Sequence, residues 1–211
     1  DTQAISGVGF SPDFTWIKNR SSAAFHILND RVRGAGKNLF SNSTFIENSG
    51  GGQTGELFTS FDSDGFTVNY EYTNTTNNGT NANSESYVAW NWLAGGSASS
   101  NSNGSITSSV SANTKAGFSI VSYTGNATAG ATVGHGLSST PEMYIVKSRS
   151  LTTGWVTYHK DAASSPEDGY LVLNDDDAFF DTVVWNDTAP TSTVFSLGGT
   201  GYSSNNSGAT Y

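Results

Sequence analysis

Pro12-Asp-Phe-Thr-Trp16-Ile-Lys18-Asn-Arg20-Ser21 returns about 130 residues later as Pro141-Glu-Met-Tyr144-Ile-Val-Lys147-Ser-Arg149-Ser150. In the first copy Phe14, Trp16 and Lys18 fall on one face of an extended chain and Ile17 on the other. That period of two belongs to a half-buried strand. The match extends outward in both directions. A Gly-x-Gly-apolar step precedes each copy, Gly7-Val-Gly9-Phe10 and Gly134-His-Gly136-Leu137. Downstream, Asn38-Leu-Phe-Ser-Asn42 parallels Tyr170-Leu-Val-Leu-Asn174, and Gly65-Phe-Thr-Val68 parallels Thr193-Val-Phe-Ser-Leu197. Last, Asn83-Ser-Glu-Ser-Tyr87 parallels Asn206-Ser-Gly-Ala-Thr-Tyr211.

The repeat predicts an all-β chain of two tandem antiparallel β-sandwich modules, of jelly-roll or lectin-like type, with long polar loops. The first module is expected over 1–96 and the second over 116–211, with the Ser/Asn/Gly-rich stretch 97–115 as linker. Strands are expected over 14–20, 25–30, 37–42, 56–61, 65–72, 87–94, 117–124, 142–149, 154–160, 169–174, 182–186 and 193–197. Tyr87 opens an apolar strand in the first copy, whereas the second copy reaches Tyr211 where that strand would begin. Conversely, Gly117–Gly125 reads as a leading strand of the second copy only. Two readings fit that phase: a chain cut from a longer polypeptide out of step with its repeats, or modules that each borrow a strand from a neighbour.

Composition narrows the function. Ser, Thr, Asn and Gly fill 101 of the 211 positions, charged residues are 13%, and the net charge is −9. An acidic surface of this kind repels phosphate backbones, so no nucleic-acid partner is expected. Five Trp, nine Tyr and twelve Phe are too many for a disordered chain. No apolar run is long enough for a membrane-spanning helix, so no membrane insertion is expected. The absence of Cys rules out disulfides and thiolate metal sites.

Chemistry-bearing residues are few. Asp62 with Asp64, or Glu56 with Glu71, could supply the carboxylate pair of a glycosidase. Asp62-Ser-Asp64-Gly65 is equally what a tight turn requires, and the turn reading is preferred. Asp62, Asp64, Asp175, Asp176 and Asp177 offer hard oxygen ligands for calcium, without the spacing of a dedicated calcium loop. No other cofactor is expected. His26, His135 and His159 share no metal spacing, and no nucleophile elbow or phosphate loop occurs. The sequence therefore argues for binding rather than catalysis. Tyr70, Tyr72, Trp155, Tyr158 and Tyr202 are candidate platforms for sugar rings. The tryptophans, lying in or beside strands, are expected mainly in the core.

Phe14-Thr-Trp16-Ile-Lys18-Asn-Arg20-Ser21, Tyr87-Val-Ala-Trp90-Asn-Trp92, Ala116-Gly-Phe118-Ser-Ile-Val-Ser-Tyr123-Thr-Gly125-Asn126 and Gly134-His-Gly136-Leu137 together carry a resemblance. They resemble the repeated β-modules of tail-fibre and other virion structural proteins of marine, cyanophage-type tailed bacteriophages. The resemblance spans nearly the whole chain and its motifs contain no catalytic residue. It implies a virion or extracellular location and a spacer or adhesive role. The partners it implies are other subunits of a virion or fibre, a homotrimer among the options, and host-surface glycans. A lectin-like domain of a cellular surface protein is the leading alternative, and a polysaccharide-degrading enzyme a weaker one.

Overall fold

A computed structural model gives the architecture of the protein and describes residues 2–48, 57–70 and 79–211. The fold is all-β, with antiparallel sheets throughout. The described strands are β1 (Thr2–Ser6), β2 (Phe14–Asn19), β3 (Ile27–Asp30), β4 (Leu39–Phe40), β5 (Phe58–Asp62), β6 (Gly65–Asn69), β7 (Tyr87–Trp92) and β8 (Ser99–Asn101). They continue with β9 (Ser108–Asn113), β10 (Phe118–Ser122), β11 (Ala131–Gly134), β12 (Met143–Val146), β13 (Val156–His159), β14 (Gly169–Val172), β15 (Phe180–Asp181) and β16 (Val194–Leu197). The stretch Ala23–Arg33 has some helical character in sequence, but it forms a loop and β3, as expected.

The repeat in sequence is a repeat in register. β2 pairs with β3 as Phe14↔Asp30, Trp16↔Leu28 and Ile17↔Ile27. β12 pairs with β13 at the matching positions, Met143↔His159, Ile145↔Thr157 and Val146↔Val156. One strand further, Ile27↔Phe40 and Leu28↔Leu39 correspond to Val156↔Val172 and Thr157↔Leu171. The turns are closed identically as well. The Asn42 side-chain oxygen accepts from the His26 N–H at 2.9 Å, and that of Asn174 accepts from the Trp155 N–H at 2.8 Å.

Each four-stranded sheet, β4-β3-β2-β7 or β12-β13-β14-β15, faces a second sheet across an apolar core. In the first half that partner is β1-β6-β5, and Ile17, Phe58, Phe66 and Val68 fill the gap. In the second half it is β11-β16, with Val133, Val146, Val156, Trp185 and Phe195 between. The opposite face of the first sheet is also covered. Phe14, Trp16, Leu28 and Leu39 pack against Ile145, Trp155 and Leu173 of the second half. Strand β3 is therefore buried on both faces, which is why it shows no alternation in sequence.

Three sequence readings need correction. The segment 97–115 contains β8 and β9, which join β10 in a third sheet of order β10-β9-β8. Ser108 and Ser111 are buried, and their hydroxyls donate to the carbonyls of Gly134 and Gly96 at 2.9 and 2.8 Å. Small hydroxyl residues that read as a flexible linker thus satisfy buried backbone groups. Residues 182–186 form turns rather than a strand, because Asn186 and Asp187 adopt left-handed backbone angles (φ 57° and 46°). Val184 and Trp185 are nonetheless fully buried there. Strands β1 and β11, equivalent in the two halves and each running up to a Gly-x-Gly step, are absent from the strands expected from sequence.

Candidate functional site

Where the halves meet, the chain forms an open pocket of about 570 Å³ lined by Trp16, His26, Ser41, Asn42, Leu173, Asn174, Asp175 and Asp176. Asn42 and Asn174 are the repeat-related turn closers described above. Each spends its side-chain oxygen on a backbone N–H and keeps its amide nitrogen as a donor. Trp16 is half-buried, and its ring lies 6.2 Å from that of Trp90, edge to face. Asp175 and Asp176 are exposed neighbours on one loop, and Asp175 accepts the Asp176 N–H at 2.9 Å. Burial and the nearby Lys18 charge hold the His26 imidazole below its ordinary pKa, which favours the neutral ring. The buried Ser41 hydroxyl has no hydrogen-bond partner among the described residues. An indole wall beside carboxamides and carboxylates can stack on the apolar face of a sugar and bond its hydroxyls.

Polar contacts across the same junction hold the pocket's shape. Trp155 is buried, and its indole N–H donates to the carbonyls of Phe40 at 2.9 Å and Ser43 at 3.0 Å. Arg149 grips Glu47 with two bonds, Nε to Oε1 at 3.0 Å and Nη2 to Oε2 at 3.1 Å. Arg33 reaches Glu47 at 3.2 Å and also pairs with Asp30. Lys147 donates to the carbonyls of Ser148 at 2.7 Å, Thr44 at 3.3 Å and Leu151 at 3.4 Å. Burial pushes its ammonium down to about 8.

The residues singled out in sequence are dispersed. Asp62 accepts from the hydroxyls of Ser60 and Thr67, both at 2.7 Å. Asp64 accepts the N–H groups of Gly7 at 3.0 Å and Gly9 at 2.6 Å, clamping the loop after β1. Both carboxylates therefore serve the hairpin, as the turn reading held. Asp177 is exposed and does not line the pocket, unlike Asp175 and Asp176. Among the described residues no three His, Asp or Glu side chains converge to hold a metal ion. Tyr158 is buried and stacked on Tyr144 at 4.8 Å, so it is a core residue and not a sugar platform. Trp155 is likewise withdrawn from solvent by its two carbonyl partners. Tyr202 is half-buried against the second core, Tyr70 is half-buried, and neither lines the pocket. Tyr72, Glu56 and Glu71 lie outside the described residues.

Trp16, His26, Asn42 and Asn174 are the site residues that sequence reading missed. The parallel of Asn42 with Asn174 was the available signal. Trp90, read with the other tryptophans as core, is 48% exposed. Among the described residues no helix is long and apolar enough to cross a membrane. A family model described as a domain of unknown function, DUF7483, matches residues 1–211. No curated protein and no solved structure matches.

Proposed function

The chain belongs to the DUF7483 family, and we propose that it is a non-enzymatic structural module of a virion or fibre that contributes to attachment by binding a surface glycan. The observation that carries the reading is the Trp16 pocket at the junction of the repeats, where an aromatic wall faces paired carboxamides and two carboxylates. Aromatic stacking with a few placed polar groups is the usual chemistry of sugar recognition. The resemblance of the repeated strands to fibre and virion modules agrees with it, as does a surface rich in uncharged polar side chains. A hydrolytic role is disfavoured, because Asp175 and Asp176 are adjacent on one loop. Glycoside hydrolysis needs two carboxyl groups on opposite sides of the scissile bond.

The test is a screen of the chain against host-surface polysaccharides and a glycan array, with calcium and with chelator. Binding that Trp16→Ala weakens about tenfold or more, with the fold retained by circular dichroism, is the expected result. Loss in chelator would assign Asp175 and Asp176 to a bridging cation, and Asp175→Asn should then reproduce it. Silence of a folded sample in both conditions would overturn the adhesive role and leave a spacer.

A further inference from the structure

Among the described residues, strands β10 and β12 are each paired on one side only, β10 with β9 and β12 with β13. Between their other edges lies a cavity of about 780 Å³, larger than the Trp16 pocket. Its walls are β10 with the following Tyr123 and β12 with the following Lys147, and Phe14, Leu28 and Trp155 line it too. One end is filled by the chain itself. Tyr123 and Tyr211 exchange both backbone hydrogen bonds, at 3.3 and 3.0 Å, and Gly125 N–H donates to the Ala209 carbonyl at 2.9 Å. On the other side the Thr210 carbonyl accepts from the Arg149 N–H at 2.8 Å. Residues 209–211 thus run as a middle strand between the continuations of β10 and β12.

The first repeat contains the same arrangement with its strand in place. Arg20 N–H donates to the Ser86 carbonyl at 2.8 Å, the counterpart of Arg149 and Thr210. The Tyr87 hydroxyl accepts from the Ala82 N–H at 2.9 Å, and the Tyr211 hydroxyl accepts from the Asn206 N–H at 2.8 Å. Tyr211 is therefore the structural counterpart of Tyr87. From Tyr87 the first repeat continues as β7, in a register from Asn19↔Tyr87 to Phe14↔Trp92. In the second repeat the corresponding positions run from Ser148 back to Met143, and Lys147 to Met143 border the cavity.

Backbone polarity agrees with this. The Lys160 N–H donates to the Glu142 carbonyl, so by antiparallel alternation Tyr144 and Val146 bond to β13. The N–H and C=O groups of Met143, Ile145 and Lys147 then point into the cavity. On β10 the bonds of Tyr123 to Tyr211 direct Val121 and Ser119 the same way. An apolar slot bordered by two rows of unpaired backbone groups matches an added β-strand.

We infer that this slot is a strand-acceptor site. It takes one extended polypeptide segment from outside residues 1–211, laid antiparallel to both β10 and β12. The occupant has the chemistry of β7: Tyr87 and Ala89 lie against the core of the first half, and Trp90 and Trp92 project from the other face beside Trp16 and Phe14. The inference rests on the repeat and the sheet edges, independently of any glycan.

The test adds a synthetic peptide of the β7 sequence, residues 85–94, to the full chain and follows amide exchange by NMR. Binding should slow exchange about tenfold or more at Met143, Ile145, Lys147, Val121 and Ser119. A peptide N-methylated at alternate residues should bind about tenfold more weakly or worse, because it cannot bond to both edges. Unchanged exchange at these amides in millimolar peptide would overturn the assignment. So would equal binding of the methylated peptide. Protection that appears without peptide and grows with protein concentration, alongside a dimer by sedimentation, would also overturn it, since a second copy would then fill the slot. Each outcome is independent of the glycan screen.

Discussion

Glu47 ties the two repeats together at the level of single side chains. Its burial alone would raise the carboxyl, but the Arg149 hydrogen bonds and the charges of Arg33 and Arg149 outweigh that and hold it below its ordinary value. A carboxyl whose folded pKa lies below its unfolded one adds stability that is present above the unfolded value and lost as pH falls through the folded one. The chain should therefore lose urea stability more steeply than Glu47→Gln between about pH 5 and about pH 3. Parallel slopes would show that the pairing contributes nothing to folding. Nothing in the residue types around Glu47 marked it out, because its partners are far along the chain. Asn42 and Asn174 are the opposite case, since their roles follow from matched places in a repeat visible in the sequence.

At the scale of elements, the segment 97–115 separates composition from structure. As a linker it would tolerate proline; as the location of β9 it cannot. β9 is the central strand of its sheet, bonded to β10 and β8, and Val110 pairs with both Val121 and Ser99. Val110→Pro should cost about 3 kcal/mol or more in a denaturant titration, and a change within error would restore the linker reading. The hairpin β5–β6 was legible for a local reason: Asp62-Ser-Asp-Gly65 sets its own turn. At Gly65 (φ 156°) a Cβ would lie 1.9 Å from the Ile5 carbonyl oxygen of β1, so glycine is also required by the neighbouring strand. Strand β3, buried on both faces, gave no alternation, which is why its stretch carries some helical character in sequence.

Across the whole molecule, the two repeats share an interface in which Trp155 is the largest buried side chain from the second half. Removing it would empty apolar volume and take the indole donor from the carbonyls of Phe40 and Ser43. Trp155→Ala should destabilise the chain by about 3–5 kcal/mol. It should also split one urea transition into two when fluorescence and circular dichroism are compared. Coincident transitions in the variant would mean that the halves are coupled through other contacts. The same packing of one half against the other creates both the Trp16 pocket and the slot between β10 and β12.

The sequence by itself determined the all-β class, the repeat, the position of most strands and the turn role of Asp62 and Asp64. Those features depend on side-chain alternation and turn chemistry within a few residues, so they can be read without knowing what lies opposite. Only the tertiary structure decided that Tyr158 and Trp155 are buried and that Trp90 is exposed. It alone turned the polar segment 97–115 into a sheet and brought Trp16 next to Asp175 and Asp176. The physical reason is common to all of these: burial and hydrogen-bond satisfaction are fixed by partners far away along the chain, and a short stretch of sequence does not encode its distant neighbour.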